Sequence, residues 1–259
     1  MHAALRQAEH ELTQYRRVWR SSVFTSTLTP LLFLAAMGLG LGQPIDGNGG
    51  SGAAALGGVR YLSFLAPGLL AAMAMQLAAG ESLWPVQGGF SWHRFFHASA
   101  ATPLRPFDIF LGWIIWVSAR LVIFAVLFVA VAASFGVVAS PLGVLAVPAA
   151  ALTGLAFAAP ITAFTATQVR ETSFPLIMRF GVMPLFLFSG AFFPVSQLPT
   201  GLQLLARLTP LWHGVDLCRS LMLGTVDIGS ALVHLAVLAA FAGAGMAWGA
   251  STFTRRLSP

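Results

Sequence analysis

The chain has 259 residues, 57% of them hydrophobic and 8% charged, whereas a soluble domain carries about 25% charged residues. A water-facing surface cannot be built from this composition; a bilayer removes the need, because apolar side chains face lipid while helices satisfy their own backbone. The net charge of +6 comes from 14 basic residues, all Arg and scattered among apolar stretches, which excludes a nucleic-acid-binding face, and the absence of Lys excludes a phosphate-gripping loop ending in Lys-Ser/Thr.

Residues 1–20 set Leu5, Ala8, Leu12, Tyr15 and Trp19 on one helical stripe, with Arg6, Glu9, His10, Arg16, Arg17 and Arg20 largely elsewhere. This spacing predicts an N-terminal amphipathic interfacial helix over 1–21 rather than a solvated tail. Charged residues fill positions 6–20 ahead of any apolar run, unlike a cleavable signal peptide. Six stretches then have the roughly 20 residues that cross a hydrocarbon core, near 23–41, 61–80, 109–135, 142–167, 174–193 and 228–253. The predicted fold is an all-α integral membrane protein of six transmembrane helices, forming one domain over 1–259. Residues 43–58 read as a glycine-rich flexible loop and 136–141 as a tight turn. Pro30, Pro67, Pro148, Pro160 and Pro184 fall within spans, where neighbouring helices re-satisfy the freed carbonyls. The single cysteine, Cys218, permits no internal disulfide. No internal repeat is evident, against a carrier built from inverted halves.

Basic residues near span ends stay cytoplasmic. With both termini inside, Arg6, Arg16, Arg17, Arg20, Arg94, Arg105, Arg170, Arg255 and Arg256 are cytoplasmic, against Arg60, Arg207 and Arg219 outside. Arg120 and Arg179 lie within spans. The expected location is therefore the cytoplasmic membrane, multi-pass, with both ends inside.

The longest inner loop, 84–107, carries Phe90, Trp92, His93, Arg94, Phe95 and Phe96. A short helix exposing Trp92, Phe95 and Phe96 beside Arg94 could lie in a groove of a soluble partner or rest its rings in the headgroup layer. Between the fifth and sixth spans, 202–208 and 215–223 have helical patterns too short to cross. After Pro199 and Pro210 they read as two re-entrant helices, an outer segment over 194–225 that must pack on the other spans. His213, Asp216 and Arg219 recur every third residue and share one face. A network tying this lid to the bundle, Asp216 pairing with Arg219 or Arg207, is the better reading, since no nucleophile or metal cluster supports catalysis. Three more ionisable residues sit at awkward depth. Glu81, at the inner end of the second span, is placed to pair with an Arg of the following loop; Arg179 can snorkel; Arg120 has no evident partner in sequence.

The run Phe188-Ser189-Gly190-Ala191-Phe192-Phe193-Pro194-Val195-Ser196-Gln197-Leu198-Pro199, followed by Thr209-Pro210-Leu211-Trp212-His213 and by Arg219, resembles the signature of type 2 ABC-exporter permeases. Within that class it is most similar to the nodulation protein J and daunorubicin-resistance groups, and the resemblance covers essentially the whole chain. It implies a permease without an ATPase site of its own, paired with a second permease copy in a homodimer or heterodimer. It also implies a separate ABC ATPase subunit, which holds the ATP and Mg and docks on a cytoplasmic coupling helix between spans 2 and 3, here residues 90–98, while this chain binds no cofactor. A cavity lined by spans one, two and five is implied as well, with Phe186, Phe192 and Phe193 as substrate-path residues, although core or lipid-facing aromatics need no ligand. The expected function is ATP-driven export of an amphipathic drug or a lipid-linked glycan. A proton-coupled carrier is the alternative, and a membrane-embedded enzyme is disfavoured by the missing catalytic constellation.

Overall fold

The computed structural model describes residues 28–37, 40 and 58–258. The expected interfacial helix over 1–21, nearly all of the 43–58 loop and the flanks of the first span lie outside the described residues. Among the described residues every regular element is helical.

Helix α1, Leu28–Met37, is the described part of the expected first span. Helix α2 (Tyr61–Ser82) leads into α3 (Trp84–Ser91) through one irregular residue, Leu83, and then come α4 (Phe95–Ala100) and α5 (Pro106–Ser134). Helix α5 starts with Pro at its first position, where a missing N–H costs nothing, and Asp108 accepts from the Arg105 backbone N–H at 3.4 Å. A 3₁₀ turn, Pro141–Leu145, enters α6, Ala146–Thr167. The fifth span, α7, covers Glu171–Phe188 and contains a π-helical stretch, Ile177–Val182. Short helices α8 (Thr200–Leu208) and α9 (Pro210–Leu223) precede α10, Ile228–Leu257. Asp227 caps α10 by accepting from the Ser230 N–H at 2.8 Å, and this bond holds its carboxyl below the usual carboxylate range.

Among the described residues, five helical stretches are long and apolar enough to cross a membrane: Tyr61–Ser91, Pro106–Ser134, Pro141–Thr167, Glu171–Phe188 and Ile228–Leu257. The second span is longer than the sequence pattern suggests, because α3 extends α2. The turn after α5 is present, with Gly136 at φ +69°. The lid is tied to it where the Ala139 N–H donates to the Met222 carbonyl at 3.0 Å.

Helix α6 is the hub, packing on α2, α5, α9 and α10. Its small residues allow this, since van der Waals packing rather than hydrophobicity joins helices in lipid. At Gly245 of α10, an added Cβ would come within 2.5 Å of the Pro160 ring. The most apolar windows of α2 and α6 are 72% and 61% buried within the chain, against 11% for α7 and 17% for α10. Helices α7 and α10 therefore border the bundle.

Candidate functional site

At the end of the bundle that carries Arg94, Arg105, Arg170 and Arg255, the aromatic loop is divided in two. Arg94 adopts a left-handed backbone, φ +51°, a conformation costing a residue with a Cβ about 1–2 kcal/mol. It turns α4 back beneath α3, so that Phe96 is fully buried against Phe90 at 4.7 Å, Trp113 at 5.7 Å and Phe253 at 5.4 Å between ring centroids. Phe95 is half-buried beside them. The expectation of a helix exposing Phe95 and Phe96 is thus corrected: with Phe90 they plug the core between α3, α5 and α10. The solvent-facing set is Trp92, 58% exposed, with His93 and Arg94.

Two side chains fasten this end. Arg256 donates to the Thr165 and Ala166 carbonyls at 3.1 and 3.0 Å and stacks 4.0 Å over the Phe90 ring, at the end of α6 where carbonyls lose their intrahelical partners. Gln87, buried, donates to the Val169 carbonyl at 2.9 Å and to the Ser91 hydroxyl at 3.0 Å. It joins α3 to the 168–173 loop.

Deeper in the span, Glu81 forms an ion pair with Arg120, their side chains 16% and 21% exposed. Arg120 is the midpoint of the 29-residue α5, about 21 Å from its start at 1.5 Å per residue. Its guanidinium lies 6.0 Å from the Trp116 ring centre. Glu81, at the C-terminal end of α2, therefore pairs with Arg120 in the middle of α5 and not with an Arg of the following loop. Each charge is matched where an unmatched one is costly. Arg179, in the π-helical stretch of α7, is exposed.

At the opposite end, α9 and α10 meet through histidines. Nδ1 of His213 and Nδ1 of His234 are 2.8 Å apart, and Nε2 of His234 lies 3.1 Å from Asp216 Oδ2. The carboxylate only accepts, so His234 carries the proton on Nε2, and a single proton lies between the two Nδ1 atoms. Trp212 packs edge-on against both rings. The expected pairing of Asp216 with Arg219 or Arg207 is corrected: the hydrogen-bond partner of the carboxylate is His234, and Arg207 is exposed. Arg219 instead donates to the Gly190 carbonyl at 2.8 Å and the Phe64 carbonyl at 3.3 Å, stacking 3.9 Å over the Phe64 ring. Gly190, at φ +86°, makes the left-handed turn that presents its carbonyl, a conformation glycine adopts without penalty. Arg219 thus binds α9, α2 and the exit of α7 to one another.

Of the three phenylalanines expected on a substrate path, Phe186 and Phe192 meet at 5.2 Å, and Phe192 reaches Phe33 of α1 at 6.1 Å. Phe193 is half-buried nearby in sequence. A cavity of about 370 Å³ opens between α7 and α8, lined by Phe180, Pro184, Leu185, Phe188, Leu205 and Thr209 among others. Among the described residues no three His, Cys, Asp or Glu side chains gather as a metal-holding group.

Two features escaped the sequence pattern. His234 is a lone histidine in an apolar span, which was itself a signal of function or pairing. The Glu81–Arg120 pair spans two helices and leaves no local trace.

The family model of the ABC-2 type transporter matches residues 8–223. Nodulation protein J of Rhizobium leguminosarum bv. trifolii is 35% identical over 216 residues, 81% of this chain and 79% of that protein. Nodulation protein J of Rhizobium meliloti (strain 1021) is 30% identical over 247 residues, 95% and 90% of the two chains. The protein of the same name from Bradyrhizobium diazoefficiens is 30% identical over 243 residues, 94% and 89%. A multi-pass helical bundle with matched intramembrane charges, alike in sequence to these proteins over most of its length, is a transport permease, and the chain belongs to the ABC-2 type transporter membrane family.

Proposed function

We propose that this chain is the permease subunit of an ATP-driven exporter in the cytoplasmic membrane, moving an amphipathic or lipid-linked glycan cargo outward. The observation that carries the reading is the Arg-rich end of the bundle. There Trp92, His93 and Arg94 project from a reversal held rigid by a buried aromatic plug, a protruding surface suited to seating in a partner's groove. The excess of Arg supports a cytoplasmic position for this end, and the apolar sequence run 23–41 supports a reading of six spans. An ABC ATPase subunit, holding ATP and Mg, docks on the 84–107 segment. A second permease copy covers the poorly buried flank of α7, and Phe186, Phe192 and Phe193 belong to the path that cargo follows. His213, His234, Asp216 and Arg219 hold the lid over its outer end.

The test is co-purification of the chain with a candidate ABC ATPase, followed by hydrolysis measured against a panel of amphipathic drugs and lipid-linked glycans. Stable association with hydrolysis stimulated by one cargo class is expected. Failure to associate with any ABC ATPase overturns the reading. A proton-coupled carrier would need a carboxylate free to titrate in mid-membrane; Glu81 is tied to Arg120.

A further inference from the structure

The 168–173 loop after α6 is held against α3 by Gln87, whose amide N–H donates to the Val169 carbonyl at 2.9 Å. The two segments enclose a cavity of about 240 Å³ lined by Gln87, Ser91, Trp92, Val169, Arg170, Glu171 and Thr172. Its rim is unusual for a free surface. Val169 is 82% exposed and Trp92 58%, two large apolar side chains presented together. Arg170 and Glu171 on the cavity are exposed, as is Arg94, two residues beyond Trp92. On the floor, the Gln87 side-chain oxygen is buried with no hydrogen-bond partner, which is costly until a donor reaches it.

We propose that this groove, and not the 84–107 segment alone, is the docking site for the ABC ATPase subunit, and that it takes a short segment presenting an apolar side chain beside an acidic one. The inference rests on the ATPase reading above. The apolar side chain enters between Trp92 and Val169. The carboxylate meets Arg170 and Arg94, which outnumber Glu171, and an N–H or hydroxyl of the partner satisfies Gln87. Because Gln87 ties the loop to α3, movement of the partner displaces the ends of the second and fourth spans together.

The test uses the full chain in inside-out vesicles, in a Cys218→Ser background, with His93→Cys or Thr172→Cys and with or without the ATPase subunit. Maleimide labelling of both positions is expected to fall at least about fivefold when the ATPase is present. Arg170→Glu is expected to weaken association at least about tenfold by placing a like charge against the partner, while Arg170→Lys retains most of it. If position 172 labels equally with and without the ATPase while position 93 is shielded, the two-segment groove is wrong and the ATPase reading stands. If position 172 is already shielded in the permease alone, this chain fills the groove itself and the inference falls. If no ATPase associates, both fall.

Discussion

Substituting Glu81 by Met leaves the Arg120 guanidinium without its carboxylate near the midpoint of α5. Two unit charges in contact attract by about 4 kcal/mol at an effective dielectric of about 20, and removing one partner of a buried pair costs about 3–5 kcal/mol, much of it the exposure of the survivor. With side chains only 16% and 21% exposed, and with lipid or protein rather than water around the span, the upper half of that range applies to Glu81→Met. Arg120→Met exposes the carboxylate instead and is expected to cost about as much. The double variant replaces both ions by apolar groups of similar length and is expected to lie within about 1–2 kcal/mol of the parent protein, since such replacements are often neutral or stabilising. The assay is graded SDS unfolding in mixed micelles, giving a coupling energy of about 6–9 kcal/mol in favour of the double variant, since the two single changes together cost about 8–10 kcal/mol and the double only about 1–2. Additivity of the two single changes to within about 0.5 kcal/mol would refute the assignment of this pair.

Phe96→Ala, which empties the centre of the aromatic plug, is expected to cost about 3–5 kcal/mol in the same unfolding assay. Trp92→Ala, at an exposed ring, is expected to leave stability within about 0.5 kcal/mol while weakening ATPase pull-down. Arg219→Lys is expected to lower the melting temperature nearly as much as Arg219→Met, because an ammonium cannot both stack on Phe64 and reach two carbonyls; full retention of stability by Lys would show that charge alone matters. Asp216→Asn and His234→Asn are expected to be non-additive in thermal stability, and additivity would refute their hydrogen bond. In a Cys218→Ser background an impermeant maleimide is expected to label Thr225→Cys in intact cells but not Ser258→Cys, and the reverse pattern would invert the orientation.

Length and hydropathy made the five spans among the described residues legible, and proline at 199 and 210 made the two short helices between the last two of them legible, because these signals are local. The aromatic loop was legible as an element but not as a surface. Nothing in the run Phe95-Phe96 says that a left-handed Arg94 folds it back under α3. The lid network was half legible: His213 and Asp216 share a helix face, while their partner His234 belongs to another helix, 21 residues beyond His213. Arg219 had too many candidate partners, and the chosen ones are backbone carbonyls, which every residue carries. The Glu81–Arg120 pair was hidden because sequence separation carries no information about which faces of two spans meet.

The same pair bears on how the chain enters the bilayer. Arg120 follows Glu81 by 39 residues, so at about 5–20 residues synthesised per second the carboxylate precedes its partner by about 2–8 s. A lone Arg at the centre of an inserting helix costs about 2.5–3.5 kcal/mol at the translocon. Helix α2 is synthesised first, so its carboxylate is available to neutralise Arg120 when α5 arrives. The order of synthesis thus gives α5 a counter-charge on an earlier span, whereas α2 carries its carboxylate through the interval without one, at a cost of the same kind.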